Sequence, residues 1–583
     1  MTTYERDATT LELPWPFAGR EDELELVRRS LAGARRGIVV TGPAGCGKTR
    51  LVTEAIRGTD CARAAGTPES RAIPFAAFAH LLPESVTLHR AVQLLSGLRT
   101  LLVDDAHLLD DASAALVHQL AVHGRTRLLV VATDGTTVPG AISRLWTGEL
   151  LPRLILEPLP EEETAQLLTG GAGPLEALTV NRLRRLSRGD LRLLRDLLAA
   201  VRGRLTPVPD TGERAWRGPL PLTTAVRERT APVLGRVCPL ERETLDRLAF
   251  AEPLSPTLDD LDLGALEVLE SDGLIEVDDL ARVRLAHPLH GPVLRAAAGR
   301  MRARRLSRTP DAYTAALDAE SAALARRIDQ DDVRPMPTPV GEWLVAEGGP
   351  LPGRYAAVRA RFARLRGEVG EAAAWAREGL RGDPEDASCR AELARACAPV
   401  DSVRDQDPDA LAEPYDAVRL GCPEKVIDRL TGVFARHADA LTRADGPALD
   451  EVAEELERRG FTLFAAEAHA QAVRAHRDPS AARHSRTRAV ALARRCQGAR
   501  TPALSGLVLG ELTARQRQIV TLAAAGLSNR QIAERLTLSI RTVGNHLYSA
   551  YARLGASDRG ALPWLTEVPQ AQPARAPLSR PAA

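Results

Sequence analysis

Gly37-Ile-Val-Val-Thr41, followed by Gly42-Pro-Ala-Gly45-Cys-Gly47-Lys48-Thr49 and a helical pattern from Arg50, is the stretch that decides the fold. An apolar run of strand length enters a glycine-rich loop, and the loop opens into a helix. The spacing G-x-x-x-x-G-K-T is that of a loop that wraps phosphate. Its glycines let successive backbone N–H groups turn inward. The helix that follows adds its free amides and the positive end of its dipole. Lys48 is placed to reach the outer phosphates, and the Thr49 hydroxyl to ligate Mg²⁺. Gly42, Gly45, Gly47, Lys48 and Thr49 are therefore candidate nucleotide-binding residues, with ATP or ADP and Mg²⁺ as the implied cofactors. Of 77 basic residues only two are lysine, Lys48 and Lys425. In such an Arg-rich chain, the mark of a GC-rich bacterial genome, a drifting position would read Arg, so Lys48 is informative.

Outward from the loop, short apolar runs alternate with helical patterns. Leu98 to Val103 ends in Asp104-Asp105, Arg127 to Thr133 follows a helical segment, and Leu154-Ile-Leu156 is the last. This alternation predicts a parallel α/β sheet. The run ending at Asp104 would present a carboxylate beside the phosphate loop, where Asp104 can hold Mg²⁺ together with Thr49. Asp105 is the candidate catalytic residue, placed to orient an attacking water. From Glu161 onward the period is helical, broken by Pro/Gly-rich stretches at Pro207–Pro221, Pro335–Pro352 and Pro399–Pro414.

Length and composition bound the rest. A chain of 583 residues exceeds the size of one hydrophobic core, which predicts two to five domains. Apolar residues at 44% and charged residues at 26% are the balance of a globular protein. No run of eighteen apolar residues predicts a membrane span, and the opening MTTYERDATTLELPWP has no secretory pattern. Seven scattered cysteines without a C-x-x-C pair exclude a zinc site and a disulfide framework. The expected location is cytoplasmic, with no membrane partner. The tail from Pro569 is low in complexity and too poor in apolar surface to fold.

A second signature lies near the other end. Thr513-Ala-Arg-Gln516 and Ser528-Asn-Arg-Gln531 both have the form of a capping box, each opening an apolar-periodic helix. Ser539 would cap a third helix running to Leu554, with Gly555 as its stop. Ile519, Leu522, Ile532, Leu536, Val543 and Leu547 would share a small core. Two helices joined by a short turn make a helix-turn-helix, whose second helix enters the major groove. Residues 511–560 hold seven arginines against three acidic residues, a balance of +4, while the whole chain is +1. Basic charge is thus concentrated where a phosphate backbone would need it. Asn545 and Tyr548 are predicted to read bases, and Arg541 and Arg553 to contact phosphate.

Two resemblances follow from these residues. Phe17-Ala-Gly19-Arg20-Glu21-Asp-Glu23-Leu24 looks like the motif that precedes the loop in signal-transducing (STAND) P-loop ATPases, which implies that Arg20 lies at the adenine side of the site. Val103-Asp-Asp-Ala-His107-Leu-Leu-Asp-Asp-Ala112 and Leu156-Glu-Pro158-Leu159-x-Glu-Glu-Glu resemble the corresponding segments of the large ATP-dependent LuxR-type regulators. So does Arg284-Leu-Ala-His287-Pro288-Leu289, which implies a winged-helix domain whose His287 can face the nucleotide. Leu512-Thr-Ala-Arg515, Gly526-Leu-Ser528-Asn529 and Thr542-Val543-x-Asn545-His546 closely resemble the LuxR-type DNA-binding domain, which adds Arg515, Ser528, Asn529, Thr542 and His546 to the expected DNA contacts.

Departures from the family matter as well. Where it commonly carries a phosphate-sensing arginine after the third strand, this chain reads Thr133-Asp134-Gly135, and an aspartate there would repel the γ-phosphate. The expectation is nucleotide binding with slow hydrolysis. Arg188-Gly189-Asp190 stands where the family has Gly-Asn-Pro. Gly544 replaces a charged residue of the third helix and weakens it by about 1 kcal/mol relative to Ala. Gly560 and Pro563 make a poor fourth helix for pairing two such domains.

The fold class expected is an α/β P-loop core, then a winged-helix and all-α, tetratricopeptide-like middle, then an all-α helix-turn-helix. Gly367-x-x-x-Glu371 to Asp383-Pro384 and Leu456-x-x-x-Gly460 to Ala468 are the segments similar to tetratricopeptide hairpins. The expected division is a leader at 1–16, an ATPase with helical lid at 17–206, a winged-helix-like domain at 222–304, a helical sensor region at 305–503, the helix-turn-helix at 506–565 and a disordered tail at 566–583. The expected function is ATP-binding transcriptional regulation on double-stranded operator DNA, with RNA polymerase as a partner and self-association open. The rival readings are a DNA-dependent ATPase of replication-initiator type and a DNA-binding regulator whose P-loop is vestigial.

Overall fold

The computed structural model describes residues 15, 17, 19–32, 36–135, 137–252, 261–277, 282–307, 310–397, 414–497, 499, 501–504, 516, 519–520, 522–523, 527–536 and 540–554. The expected leader at 1–14 and 16, the break at 399–413, the segments Thr513–Arg515 and Ser539, and everything from Gly555 on lie outside them. The chain divides into two compact units, 1–318 with 338–351, and 319–337 with 352–583.

The first unit opens with α1 (Glu21–Ala32), β1 (Gly37–Gly42), α2 (Lys48–Ala55), β2 (Ala62–Ala65), α3 (Leu88–Leu95), β3 (Thr100–Asp104), α4 (Asp111–His123), β4 (Arg127–Thr133), α5 (Gly140–Thr147) and β5 (Arg153–Ile155). The strands form one sheet in the order β2-β3-β4-β1-β5, and every pairing is parallel. β1 and most of β3 and β4 are buried, which is why they read as continuous apolar runs rather than alternating ones. Separate apolar clusters cover the sheet, one around Leu101, Leu116 and Leu128, the other around Val40, Leu51 and Leu129. Because the strands are parallel, the ends of β1, β3 and β4 open on one edge, where ligands of such sheets bind.

Three helices follow, α6 (Glu161–Ala172), α7 (Ala177–Ser187) and α8 (Leu191–Val201). The expected break after Pro207 instead contains an antiparallel hairpin, β6 (Leu205–Pro207) with β7 (Arg214–Trp216), whose tight turn the Pro/Gly composition supplies. Next come α9 (Thr224–Leu234), α10 (Pro239–Ala251), α11 (Leu263–Ser271), the hairpin β8 (Ile275–Val277) and β9 (Val283–Leu285), α12 (His290–Ala297) and α13 (Arg300–Leu306). One cluster, from Leu168 through Leu194 and Trp216 to Leu248 and Leu294, joins all these helices. α14 (Pro310–Asp329) falls partly in each unit, and α15 (Pro339–Glu347) belongs to the first. α15 occupies the second expected break, because Pro339 sits at the first helical turn, where a missing N–H costs nothing.

The second unit is helical. α16 (Gly353–Arg366) and α17 (Val369–Gly382) turn at Gly367, whose φ of 89° favours glycine, and α18 (Ala387–Cys397) follows. After α19 (Tyr415–Arg419) and α20 (Gly432–Thr442), the pair α21 (Gly446–Arg458) and α22 (Thr462–Ala475) turns at Gly460 in the same way, before α23 (Pro479–Arg494). Both expected hairpins are thus helix pairs. α24 (Asn529–Leu536) and α25 (Ile540–Leu554) close the described residues. Ile519, Ile532, Val543 and Leu547 form their core, with Leu522 and Leu536 packed against it, the six residues the sequence pattern picked out. Among the described residues no helix is long and apolar enough to cross a membrane.

Candidate functional site

The phosphate loop is built by backbone geometry that only glycine supplies. Gly42 has φ 155°, and a Cβ there would lie 2.3 Å from the carbonyl oxygen of Leu156. Gly45 has φ 73°, and its Cβ would meet the Asp190 carboxyl carbon at 2.2 Å. Gly47 is left-handed and leads into α2, which begins without a side-chain cap or an acidic residue in its first turn. That end of α2 is left for an anion. Lys48 is buried, and its Nζ donates to Gly42 O (2.9 Å) and Pro43 O (2.6 Å).

Thr49 Oγ1 donates to Asp104 Oδ1 at 3.1 Å, so the start of α2 and the end of β3 meet as the spacing implied. Asp104 Oδ1 also accepts from the Asp105 amide at 3.0 Å. Burial, then the neighbouring Asp105 charge, pushes the Asp104 carboxyl above its usual range. A divalent cation would relieve both effects. Asp105 has φ 46°, uncommon for a non-glycine residue, and heads the turn Ala106–Leu108. His107 in that turn is buried and accepts at Nδ1 from the Thr133 amide (3.4 Å), which brings the ends of β3 and β4 together.

The aspartate after β4 is not a bare charge, contrary to the sequence expectation. Arg153, on β5, donates from Nη2 to Asp134 Oδ1 (3.0 Å) and from Nε to Thr41 Oγ1 (2.8 Å). Its guanidinium therefore stands at the loop end of β1 and offsets the carboxylate. Sequence reasoning passed over Arg153, because only the strand order sets it beside β1, within reach of the residue after β4. Asp190 is likewise paired: Oδ1 caps α8 by accepting from the amides of Arg192 and Leu193, and Oδ2 accepts from Arg229 at 3.0 Å.

Arg20 is buried at the head of α1 and bonds Glu23 (2.9 Å) and the carbonyl of Glu157, tying the upstream motif to the segment after β5. Beside it, Glu163 packs against Gly19. Burial, then repulsion from Glu21, raises the Glu163 carboxyl to about 7. His287 precedes α12. Its Nδ1 accepts from the Leu289 amide at 3.1 Å, so Nε2 carries the proton of the neutral ring. Burial and the Arg188 charge hold it below the usual imidazole range. Arg188 is two residues from Asp190, whose carboxyl lies against Gly45.

At the helix-turn-helix, the capping box at α24 forms as the pattern implied. Ser528 N donates to Gln531 Oε1 (2.8 Å), and Gln531 N to Ser528 Oγ (3.3 Å). Buried Gln516 donates to Ser549 Oγ at 3.0 Å, linking the first helical segment to α25. Asn545 and Tyr548, the latter 53% exposed, lie one turn apart on the open side of α25. Asn529, Thr542 and His546 are half-buried, and Ser528 is exposed. Arg515 and the side chains of Arg541 and Arg553 lie outside the described residues. A Cβ on Gly544 would meet nothing within 4 Å.

Comparison with known proteins matches both ends. Residues 16–97 match the AAA ATPase domain, and residues 510–563 match the bacterial regulatory proteins of the luxR family. A Mycobacterium bovis protein named as an HTH-type transcriptional regulator is 45% identical over 71 residues, 12% of this chain and 8% of that protein. An Escherichia coli protein of the same description is 49% identical over 51 residues, 9% of this chain and 26% of that one. The matched stretches thus span about a quarter or less of these relatives. Among solved structures, a STAND protein with a tetratricopeptide repeat sensor from Pyrococcus horikoshii is 14% identical, covering 93% of this chain and 77% of that one, with a TM-score of 0.24. A Walker-type ATPase of Pyrococcus abyssi is 14% identical, covering 47% and 95%, with a TM-score of 0.32. This chain therefore joins a P-loop AAA ATPase domain to a luxR-family helix-turn-helix domain of bacterial regulators.

Proposed function

We propose that the chain is a cytoplasmic transcriptional regulator whose ATP-binding state sets how its helix-turn-helix engages operator DNA. The observation that carries this reading is the Thr49–Asp104 bond at 3.1 Å beside a buried Lys48, in a chain that also holds a luxR-family domain. Gly42, Gly45 and Gly47 leave room for phosphate, and Lys48 exchanges its two carbonyl partners for phosphate oxygens. Thr49 and Asp104 hold Mg²⁺, which supplies charge neutralisation at the terminal phosphates. Arg20 braces the base side, and Asp105 orients water for a slow hydrolysis. His287 transmits the nucleotide state through Arg188 and Asp190. The functional division is the ATPase at 17–206, the winged-helix-like domain at 222–304, the sensor helices at 305–503 and the DNA-binding domain at 506–565.

On DNA, Asn545 and Tyr548 read bases, and Arg515, Ser528, Asn529, Arg541, Thr542, His546 and Arg553 hold the backbone and orient the helix. RNA polymerase is the partner such a regulator acts on, and self-association would place two helices on one operator. The switch is a two-state element biased by the terminal phosphate. Isothermal titration of MgATP into wild type and Lys48→Ala tests the nucleotide half. Binding in the wild type and none in the variant is expected; equal affinity in both, or binding in neither, contradicts it.

A further inference from the structure

The first unit holds a cavity of about 350 Å³ beside α12, whose nine lining residues include Leu220, Phe250, Pro292, Arg295, Trp343 and Glu347. Its size is at the small end of ligand clefts, which run from about 300 to 1,000 Å³, so it suits a metabolite much smaller than a nucleotide. Six of the nine lining residues are apolar or aromatic, and Ser307 adds a hydroxyl. The other two are opposite charges side by side, with Arg295 Nε 3.5 Å from Glu347 Oε1.

That ion pair forms the charged part of the wall. Arg295 Nη1 is committed to the Ala249 carbonyl at 2.7 Å, and its guanidinium carbon stands 5.3 Å from the centre of the Trp343 ring. Tyr313 stacks on Trp343 at 5.1 Å with an interplanar angle of 16°, so the indole is a fixed wall. The Trp343 Nε1 atom is itself buried, with no acceptor among the described residues. Burial also holds Arg295 below the usual guanidinium range, a cost that an added anion reduces.

We propose that this cavity is an effector site for a small zwitterion of the apolar α-amino acid class. Its carboxylate meets Arg295, its ammonium meets Glu347, and its side chain lies against Trp343, Leu220, Phe250 and Pro292. The site is tied to the nucleotide loop by one short helix. Arg295 is near the C-terminal end of α12, and His290 opens the same helix, its ring 5.3 Å from that of His287. An occupant that draws Arg295 toward it therefore moves the end of α12 on which the Arg188 charge acts. This regulatory half rests on the nucleotide-binding reading; the binding half does not.

The test uses the full chain and a panel of L-leucine, L-phenylalanine and L-tryptophan. Binding is read by calorimetry, alongside isovalerate, phenylacetate and phenethylamine, which each carry only one of the two charges. At least one amino acid is expected to bind saturably, and the single-charge analogues at least tenfold more weakly. Glu347→Gln, which keeps the shape of the wall, is expected to weaken the amino acid at least tenfold while phenylacetate binds no more weakly than to wild type. Lys48→Ala is expected to keep amino-acid binding, which separates this site from the nucleotide site. In wild type, the saturating amino acid is expected to shift MgATP affinity at least threefold. No saturable amino-acid binding, or phenylacetate binding as tightly as phenylalanine, overturns the site. Unchanged MgATP affinity in an amino-acid-saturated protein that binds MgATP overturns its coupling to the loop.

Discussion

Thr49 and Asp104 are 55 residues apart in sequence and joined by one hydrogen bond of 3.1 Å, from the hydroxyl at the start of α2 to the carboxylate at the end of β3. The bond fixes the separation of the hydroxyl and the carboxylate. It also leaves Asp104 under the repulsion of Asp105 and the penalty of burial. Asp104→Asn keeps an acceptor for Thr49 and removes the charge. MgATP affinity should fall about tenfold or more, a loss of roughly 1.4 kcal/mol, and lose its dependence on Mg²⁺. The nucleotide-free protein should melt no lower than wild type, since a raised carboxyl marks an anion the fold disfavours. Titration calorimetry with and without EDTA, and a melting curve, check both outcomes.

Arg153 bridges Thr41 and Asp134 at the loop end of the sheet. Arg153→Ala exposes the Asp134 charge to the phosphates and should weaken MgATP binding several-fold, while Arg153→Ala with Asp134→Asn should recover it. Because Arg153 is engaged by Asp134, turnover should stay below about one per second, the low end of ordinary enzyme rates. Phosphate release by the purified chain measures it.

Burial, then the His287 and Arg188 charges, lowers His290 to about 4, and its buried Nδ1 has no partner among the described residues. A histidine depressed in the fold contributes stability that is full above its unfolded value of about 6.5 and is lost as pH falls toward 4. The loss is at most about 3 kcal/mol. Glu163, raised to about 7, works in the opposite direction over the same range. Comparing melting temperatures of wild type and His290→Gln at pH 7.5 and 5.0 isolates the histidine: the wild type should lose more on acidification than the variant.

What the sequence made legible was what burial writes into a local pattern. β1, β3 and β4 are sheathed on both faces and read as apolar runs, and the capping box at Ser528 declared α24. β2 did not show, because Ala62-Arg-Ala-Ala65 is a short edge strand of small residues. Pro339 read as a break although it opens α15, since proline at the first turn and proline in a loop look alike without the fold. Arg153 and Asp190 were harder still. Arg153 was one arginine among many, and its role comes only from the order β4-β1-β5. Asp190 was noted as a departure, but its pairing with Arg229, 39 residues on, is a tertiary fact.

Asn545 and Tyr548 stand on the open side of α25. Asn545→Ala should relax preference at one base position and cost about 1–3 kcal/mol at the specific site. Arg553→Ala should weaken all sequences alike and flatten the salt dependence. Selection from a randomised duplex library, repeated at two salt concentrations, separates the two behaviours.

The most direct test of the account joins its two ends. A duplex selected from that library by the full chain is titrated with wild type and with Lys48→Ala, each with and without saturating MgATP. The account predicts a nucleotide-dependent change in DNA affinity of at least fivefold, about 1 kcal/mol, in the wild type and none in the variant. Equal DNA affinity with and without MgATP, in a wild-type protein shown to bind it, would contradict the claim that the nucleotide is the switch.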